Sequence, residues 1–303
     1  MQTLADIGED ELIRRITAGL TFDSSVVAGP GDDCAVVRGI SRSEHELLKT
    51  DAIVEGVHFT AETPAALIGR KALARVISDF AAMGGTPRHA MVTLIAPPGT
   101  AVARVLGIYK GLRQLAQTFA VNLVGGETSR GDQLVLSVSL TGSVPKRYWS
   151  SRSAGRAGDA LFVTGRLGGS IGGKHLKFQP RLAEGQWLVR NFPIHAMMDL
   201  SDGLAKDLPR LARASGLTFD VAPATLPSSA GCTTAQAWGD GEDYELLFAV
   251  PPRVSARLEE EWARTFPKLK LTRIGTLVHG LPSSAQSHAS GPAASEGGWD
   301  HFR

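Results

Sequence analysis

The stretch MMDLSDGLAKDL (residues 197–208) places two carboxylates where an apolar strand ends. Met198 and Leu200 indicate a strand buried in a core, yet Asp199 and Asp202 lie at its end, three residues apart. An unpaired carboxylate is costly to bury, and two like charges about 4 Å apart repel by roughly 1–4 kcal/mol near a protein surface. We therefore expect a positively charged partner at this strand end.

Composition is that of an ordinary globular protein. The 303 residues are 43% hydrophobic and 20% charged, and this length favours two domains. A net charge of +2 without a run of Lys or Arg argues against a nucleic-acid partner. Cys34 and Cys232 are too few for a disulfide framework and fit a reducing compartment. Neither a signal peptide nor an apolar run of membrane-spanning length is visible, so we expect a cytoplasmic protein with no membrane partner.

Strands and helices alternate along the whole chain, which predicts an α/β (α+β) fold. The N-terminal half contains a strand in 46–59 that runs into a loop at Asp51, a helix in 64–85, a strand in 89–98, a helix in 102–119, and two strands joined by a Gly-rich turn in 121–144. A break rich in Ser, Gly and Arg follows at 145–159. We place the domain boundary there, giving domains of residues 1–148 and 149–303.

The C-terminal half repeats the alternation and ends in an unusual segment. Pro209 interrupts a helical pattern, so we expect that helix to begin near Asp207. Residues 281–298 are poor in apolar side chains and rich in Ser, Ala and Gly, which predicts a flexible linker. The two aromatic residues of the terminal WDHFR suggest an anchor that folds back onto the body. A frayed terminus is the alternative.

Further carboxylates stand beside apolar runs, at predicted strand ends or helix-to-Gly junctions. They are Asp32, Asp33, Asp51, Asp79 and Glu127. Each alone is explained by a turn or a helix cap. Together they offer the hard oxygen ligands that Mg²⁺ takes, and the neighbouring glycines would let backbone N–H groups approach phosphate oxygens. We therefore predict a site that holds metal against a polyphosphate.

A second glycine pattern is excluded as a phosphate loop. Gly168 is followed after four residues by Gly173 and Lys174, but His175 stands where a Ser or Thr should bind Mg²⁺.

Seven segments, in order along almost the whole chain, resemble the thiamine-monophosphate kinase family. They are GDDCAVV, TDAIVEGVHF, ISDFAAMGG, GGETSRG, MDLSDGL, GEDYELLF and the terminal WDHF. This family belongs to an ATP-binding superfamily that includes aminoimidazole ribonucleotide synthetase. The resemblance implies ATP-dependent phosphorylation of thiamine monophosphate to thiamine diphosphate by direct transfer, with several Mg²⁺ ions and no catalytic side chain. It also implies a homodimer formed through a mixed N-terminal ATP- and Mg²⁺-binding sheet, followed by a C-terminal α/β domain.

The resemblance also assigns residues to roles. The implied metal ligands are Asp33, Asp51, Asp79, Glu127, Asp199 and Asp202, with Lys49 at a further position where relatives often carry Ser or Thr. The implied ATP contacts are Thr50, Gly126, Glu127, Arg152 and Ser201. The implied contacts to the thiamine phosphate are His58, Glu242 and Trp299.

Two departures leave other functions open. Glu127 stands where the family usually has Asp, and Lys49 replaces a small hydroxyl residue. A non-catalytic ATP-binding homologue, or another member of the same superfamily, would also carry many of these residues.

Overall fold

The computed structural model describes residues 2–39, 41–280 and 297–302. Its strands are β1 (Val26–Ala28), β2 (Ala35–Arg38), β3 (Glu44–Val54), β4 (Thr86–Ala96), β5 (Asn122–Arg130), β6 (Val135–Pro145), β7 (Ala160–Thr164), β8 (Ala196–Asp199), β9 (Thr218–Val221), β10 (Leu246–Val250) and β11 (Leu271–Val278). Its helices are α1 (Leu4–Thr17), α2 (Ala65–Ala82), α3 (Val102–Thr118), α4 (Lys174–Lys177), α5 (Leu182–Asn191), α6 (Leu204–Ala214), α7 (Thr234–Gly239) and α8 (Ser255–Thr265). The α/β fold class is confirmed.

The N-terminal sheet is mixed and covered by helices on one face. Its six strands lie in the order β1-β2-β3-β6-β4-β5, and β4 pairs with β5 in parallel while all other pairs are antiparallel. Alternate residues of β6 such as Leu136, Val138 and Leu140 are buried, and their cluster includes apolar residues of α2 and α3. This period of two is what a sheet with one covered face requires.

The C-terminal sheet is fully antiparallel and buried on both faces. Its order is β8-β10-β7-β11-β9. Every residue of the three strands β7, β8 and β10 is buried, because one face packs on α6 and α7 and the other on α5 and α8. Strand β8, which carries Met197 and Met198, is an edge strand of this sheet, with Asp199 as its last residue.

Helix α2 joins the two halves. Ile68, Val76 and Phe80 belong to the core of the N-terminal sheet, whereas Ala81 and Ala82 belong to the core that contains β7, β10 and α8. Small residues allow this helix to approach α3 closely. A Cβ added at Gly69 would overlap the backbone carbonyl of Ile108 on α3.

Three local expectations were wrong. Asp51 is inside β3, not in a loop, because β6 pairs with β3 as far as Val54. Glu127 lies inside β5, because that strand continues in parallel beside β4. Helix α6 begins at Leu204 despite Pro209, because Gly203 caps it and its carbonyl accepts hydrogen bonds from Lys206 and Asp207.

The chain end is described only in part. Of the predicted linker, residues 281–296 lie outside the described residues, so that prediction is not tested there. Residues 297–302 lie against the body: Gly298 N–H donates to Gly239 O at 3.0 Å and Trp299 N–H to Asp202 O at 2.9 Å. Among the helices described, none is both long and apolar enough to span a bilayer.

Candidate active site

Three carboxylates converge where the two halves of the chain meet. Asp33 precedes β2, Asp79 lies in the last turns of α2, and Asp199 ends β8. All three are at least 95% buried, and one oxygen atom of each lies within 4.8 Å of the others. We call these residues the acidic cluster. Each comes from a different element, so only the tertiary fold brings them together.

Burial and mutual repulsion dominate the electrostatics of the acidic cluster. Burial, together with the charge of Asp33, raises the pKa of Asp199 to about 7, although a hydrogen bond of 2.6 Å from Ser78 Oγ opposes the rise. The pKa of Asp79 is also well above its usual range, through burial and the charges of Asp51 and Asp199, despite the opposing charge of Lys49. A cation in the cluster would relieve both effects.

Two basic side chains already contact these carboxylates. Lys49 Nζ lies 2.8 Å from Asp79 Oδ1 and 3.5 Å from Asp51 Oδ1. Although burial alone would lower it, the pKa of Lys49 is raised by these two carboxylates, so its amine stays protonated. Arg152 Nη2 donates to Asp33 Oδ1, and the Arg152 backbone N–H donates to Asp32 Oδ1 at 2.7 Å.

The acidic cluster fits a hard divalent cation. Asp33 Oδ2 is buried and has no hydrogen-bond partner in the part of the chain that the structure describes. An orphaned carboxylate oxygen next to two further buried carboxylates is what an oxygen-coordinated ion such as Mg²⁺ would satisfy.

A cavity of about 460 Å³ is lined by residues that neighbour the acidic cluster in sequence, including Arg75, one helical turn before Asp79, and Ser201, which follows Asp199 and Leu200. We call it the main cavity; its lining includes His58, Arg75, Ser201, Asp202, Glu242 and Trp299. Three of these residues were predicted to bind the thiamine phosphate, and the fold brings them together. Ser201 and Asp202 belong to the loop that follows β8, which extends the lining toward the acidic cluster.

His58 presents a donor to the main cavity. Its Nδ1 accepts a hydrogen bond of 3.1 Å from Val54 N–H, which leaves the ring proton on Nε2. Burial and then the charge of Arg75 lower the pKa of His58 to about 3, so the ring is neutral at physiological pH.

Glu242 is held by a buried network that sequence reasoning missed. Lys71 Nζ is fully buried and contacts Glu242 Oε2, His58 O at 2.6 Å and His175 Nδ1 at 2.8 Å. Burial would raise the pKa of Glu242, but the hydrogen bond from His175 and the charge of Lys71 lower it to about 2. Glu242 is therefore a fixed anion at the cavity wall.

The terminal aromatic segment forms one wall of the main cavity. Trp299 is 48% exposed, and its backbone carbonyl accepts a hydrogen bond of 2.5 Å from Lys206 Nζ.

Asp202, expected near Asp199, is not in the acidic cluster. Its carboxylate accepts a hydrogen bond of 2.6 Å from Arg210, which is the positive partner expected from the sequence.

The remaining predicted residues lie elsewhere in the single chain. Gly126 and Glu127 line a second cavity of about 480 Å³ together with Tyr109, which sequence reasoning did not select. Thr50 faces the opposite side of β3 from Asp51, because neighbouring strand residues alternate; its hydroxyl accepts a hydrogen bond of 3.2 Å from Ser139. Glu127 and Thr50 thus do not meet the acidic cluster within one chain.

The residues missed on α2 had a signal in the sequence. Lys71, Arg75 and Asp79 recur at four-residue spacing in a helix whose other residues, apart from Arg70 and Ser78, are apolar or glycine, and this spacing places them on one face. Only Asp79 was selected, because the sequence search was for carboxylates, and Lys71 and Arg75 are basic.

We predict that His58 makes the protein less stable in mild acid. Its pKa of about 3 lies below the ordinary 6.5, so the unfolded chain binds more protons between these values and stability falls as the pH drops through this window. In His58→Asn, whose amide oxygen can still accept from Val54, the loss of unfolding free energy from pH 6.5 to 5 should be smaller by roughly 1–2 kcal/mol. Urea unfolding at both pH values measures it.

The control for this measurement is His279→Asn, at an exposed histidine that follows β11. An equal loss in wild type and His58→Asn would contradict the neutral assignment of His58.

Comparisons with known proteins show which family the chain is similar to. Residues 31–144 match the family model described as AIR synthase related protein, N-terminal domain, and residues 130–281 match AIR synthase related protein, C-terminal domain. The chain is 37% identical over 272 residues to thiamine-monophosphate kinase of Rhodopirellula baltica, covering 84% of each chain. It is 31% identical to thiamine-monophosphate kinase of Bacillus subtilis, over 97% of this chain and 99% of that protein.

A solved structure described as AaThiL complexed with AMPPCP and TMP is similar over 100% of this chain and 99% of that chain. The TM-score is 0.84 and the sequence identity 29%. The chain therefore belongs to the thiamine-monophosphate kinase family.

Proposed function

We propose that this protein transfers the γ-phosphoryl group of ATP to thiamine monophosphate, producing ADP and thiamine diphosphate. The observation that carries the proposal is the acidic cluster beside the main cavity, where His58, Glu242 and Trp299 meet. Relatives of the same family are named for this activity, and AaThiL is described in complex with AMPPCP and TMP. A phosphate oxygen of the acceptor attacks the γ-phosphorus, and the bond from that phosphorus to the β–γ bridging oxygen breaks.

The main obstacle to this reaction is repulsion between two anions. The acceptor phosphate is already a nucleophile, so the protein has to position and neutralise more than it has to remove a proton. When bound, Mg²⁺ would supply this neutralisation, and Asp33, Asp79 and Asp199 are the residues that would hold it, with Asp51 beside them. Arg152, which pairs with Asp33, would contact phosphate oxygens.

The role of Lys49 differs from that of a metal ligand. A protonated amine has no free lone pair, so Lys49 cannot bind a metal while it neutralises Asp51 and Asp79. We propose that it is a fixed cation in the site.

The main cavity would bind the thiazolium and pyrimidine rings of the acceptor. Trp299 presents an aromatic face suited to the cationic heterocycle, a contact worth roughly 0.5–2 kcal/mol. The Nε2–H group of His58 and the carboxylate of Glu242 supply one donor and one acceptor for polar ring atoms.

The second cavity is the proposed nucleotide site. Gly126 has φ of 156°, and a Cβ there would overlap the backbone carbonyl of Val92 on β4, so only glycine fits at this wall of the cavity. Thr50, Glu127, Arg152 and Ser201 lie in separate places of one chain, and a second copy would bring further groups to them.

Both cysteines are free, which fits the proposed cytoplasmic location. We retain residues 1–148 and 149–303 as the proposed domains.

We predict that Mg²⁺ stabilises the protein through the acidic cluster. At 100 times its dissociation constant, a ligand of the folded state adds about 2.7 kcal/mol of stability. Thermal unfolding with millimolar Mg²⁺, with and without a non-hydrolysable ATP analogue, should show this shift in wild type, and Asp199→Asn should lose at least half of it. Asp220→Asn, at an exposed position on β9, is the matched control. If the Mg²⁺-dependent shift is the same in Asp199→Asn as in wild type, the acidic cluster is not the Mg²⁺ site.

We predict ADP release from ATP and Mg²⁺ with thiamine monophosphate, but not with thiamine or aminoimidazole precursors. Asp79→Asn should reduce turnover by roughly 10²-fold or more, because it removes charge that the transition state requires, whereas Asp220→Asn should not. ATP binding without turnover on any acceptor would favour a non-catalytic homologue. Turnover on an aminoimidazole precursor would favour another member of the superfamily.

We propose that the chain forms a homodimer through the outer face of the N-terminal sheet. Leu48, Met91 and Val124 are 38%, 50% and 58% exposed on three strands of this face. Sedimentation equilibrium should give twice the chain mass of 32.1 kDa, and Val124→Glu should shift it toward the monomer because it places a charge in the apolar contact. A monomeric wild type excludes the dimer.

A further inference from the structure

The polar face of α2 sets the distance between the main cavity and the acidic cluster. Lys71 contacts Glu242 in the wall of the main cavity, and Asp79 belongs to the acidic cluster. The two positions are eight residues apart, or about 12 Å along a helix axis. Arg75 lies midway between them on the same face, about 6 Å from each.

Arg75 is a half-buried cation with unused hydrogen-bonding capacity. Its Nη1 donates to Ala52 O at 3.1 Å, but its Nε is buried and has no partner among the described residues. A buried N–H without a partner costs roughly 1–3 kcal/mol, more for a charged group. Burial would lower the pKa of Arg75, but the surrounding Tyr244, Asp51 and Glu242 raise it, so the guanidinium is always charged.

Within the main cavity, the position next to Arg75 is the one that favours an anion. Among the described residues that line the cavity, Arg75 is the one Lys or Arg side chain. The other charged groups there are carboxylates, such as Glu242 and Asp202, which would repel a phosphate. A guanidinium suits a phosphate because its N–H groups can donate to two oxygens at once.

We propose that Arg75 binds the phosphate group of the acceptor and so selects a phosphorylated acceptor over the free alcohol. This proposal rests on the proposed function. The heterocycle occupies the end of the main cavity near His58 and Trp299, and its phosphate lies against Arg75, facing the acidic cluster. The same contact neutralises part of the charge on the nucleophile. Arg75 is therefore a specificity-determining residue of the acceptor site.

The test compares two ligands that differ only in the phosphate. Calorimetry measures the affinity of thiamine monophosphate and of thiamine for wild type, Arg75→Gln, Arg75→Lys and the control Arg190→Gln, at an exposed position on α5. Arg75→Gln should lose 10- to 100-fold of its affinity for thiamine monophosphate, the equivalent of a charged hydrogen bond, while thiamine binds within about twofold of wild type. Arg75→Lys should lose less, and Arg190→Gln nothing.

Kinetics add a second readout. In Arg75→Gln the KM for thiamine monophosphate should rise, while the KM for ATP stays unchanged. Thiamine binding by the variant itself shows that its cavity is folded. If Arg75→Gln leaves the ratio of the two affinities unchanged, whether or not both affinities fall, the proposed role of Arg75 is overturned. The proposed function of the protein is not affected by that result. A wild-type protein that binds neither ligand overturns the proposed function, and this proposal with it.

Discussion

The candidate active site depends on the repulsion among three buried carboxylates. Asp33, Asp79 and Asp199 come from the loop before β2, from α2 and from the end of β8, and they meet within 4.8 Å. Such a group is unfavourable unless positive charge is placed around it. Lys49 and Arg152 supply part of that charge, and the unused oxygen of Asp33 shows that the compensation is incomplete. An incompletely neutralised cluster is suited to bind cations and the phosphates that accompany them.

Helix α2 determines how the other parts of the site are spaced. It is buried between two cores, so its register cannot slip without exposing Phe80 on one side or Ala81 on the other. A rigid helix then fixes the distances among Lys71, Arg75 and Asp79, which connect substrate recognition to the metal end. The cost of burying this polar face is offset by specific partners: Glu242 for Lys71, and Lys49 for Asp79. Positioning of this kind is what direct phosphoryl transfer requires.

Much of this arrangement could be predicted from the sequence, because local patterns encode it. Strand and helix alternation predicted the fold class, and carboxylates next to apolar runs pointed to the acidic cluster. The side of β3 that Thr50 occupies could not be predicted, because the sequence does not show how far that strand continues. A shift of one residue in the register moves every side chain to the other face. The position of Glu127 depends on pairing with β4, which is not local. Arg75 was predictable from its four-residue spacing to Asp79, but its importance depends on the loop that carries Glu242, far away in sequence.

The most direct test of the acidic cluster as the catalytic centre is a crystal structure with Mn²⁺, a non-hydrolysable ATP analogue and thiamine monophosphate. Anomalous scattering would locate the ions independently of any assumption about ligands. We expect at least one Mn²⁺ bound by oxygens of Asp33, Asp79 and Asp199, between the nucleotide phosphates and the main cavity. Bound nucleotide and acceptor with no ion at these three carboxylates would contradict it.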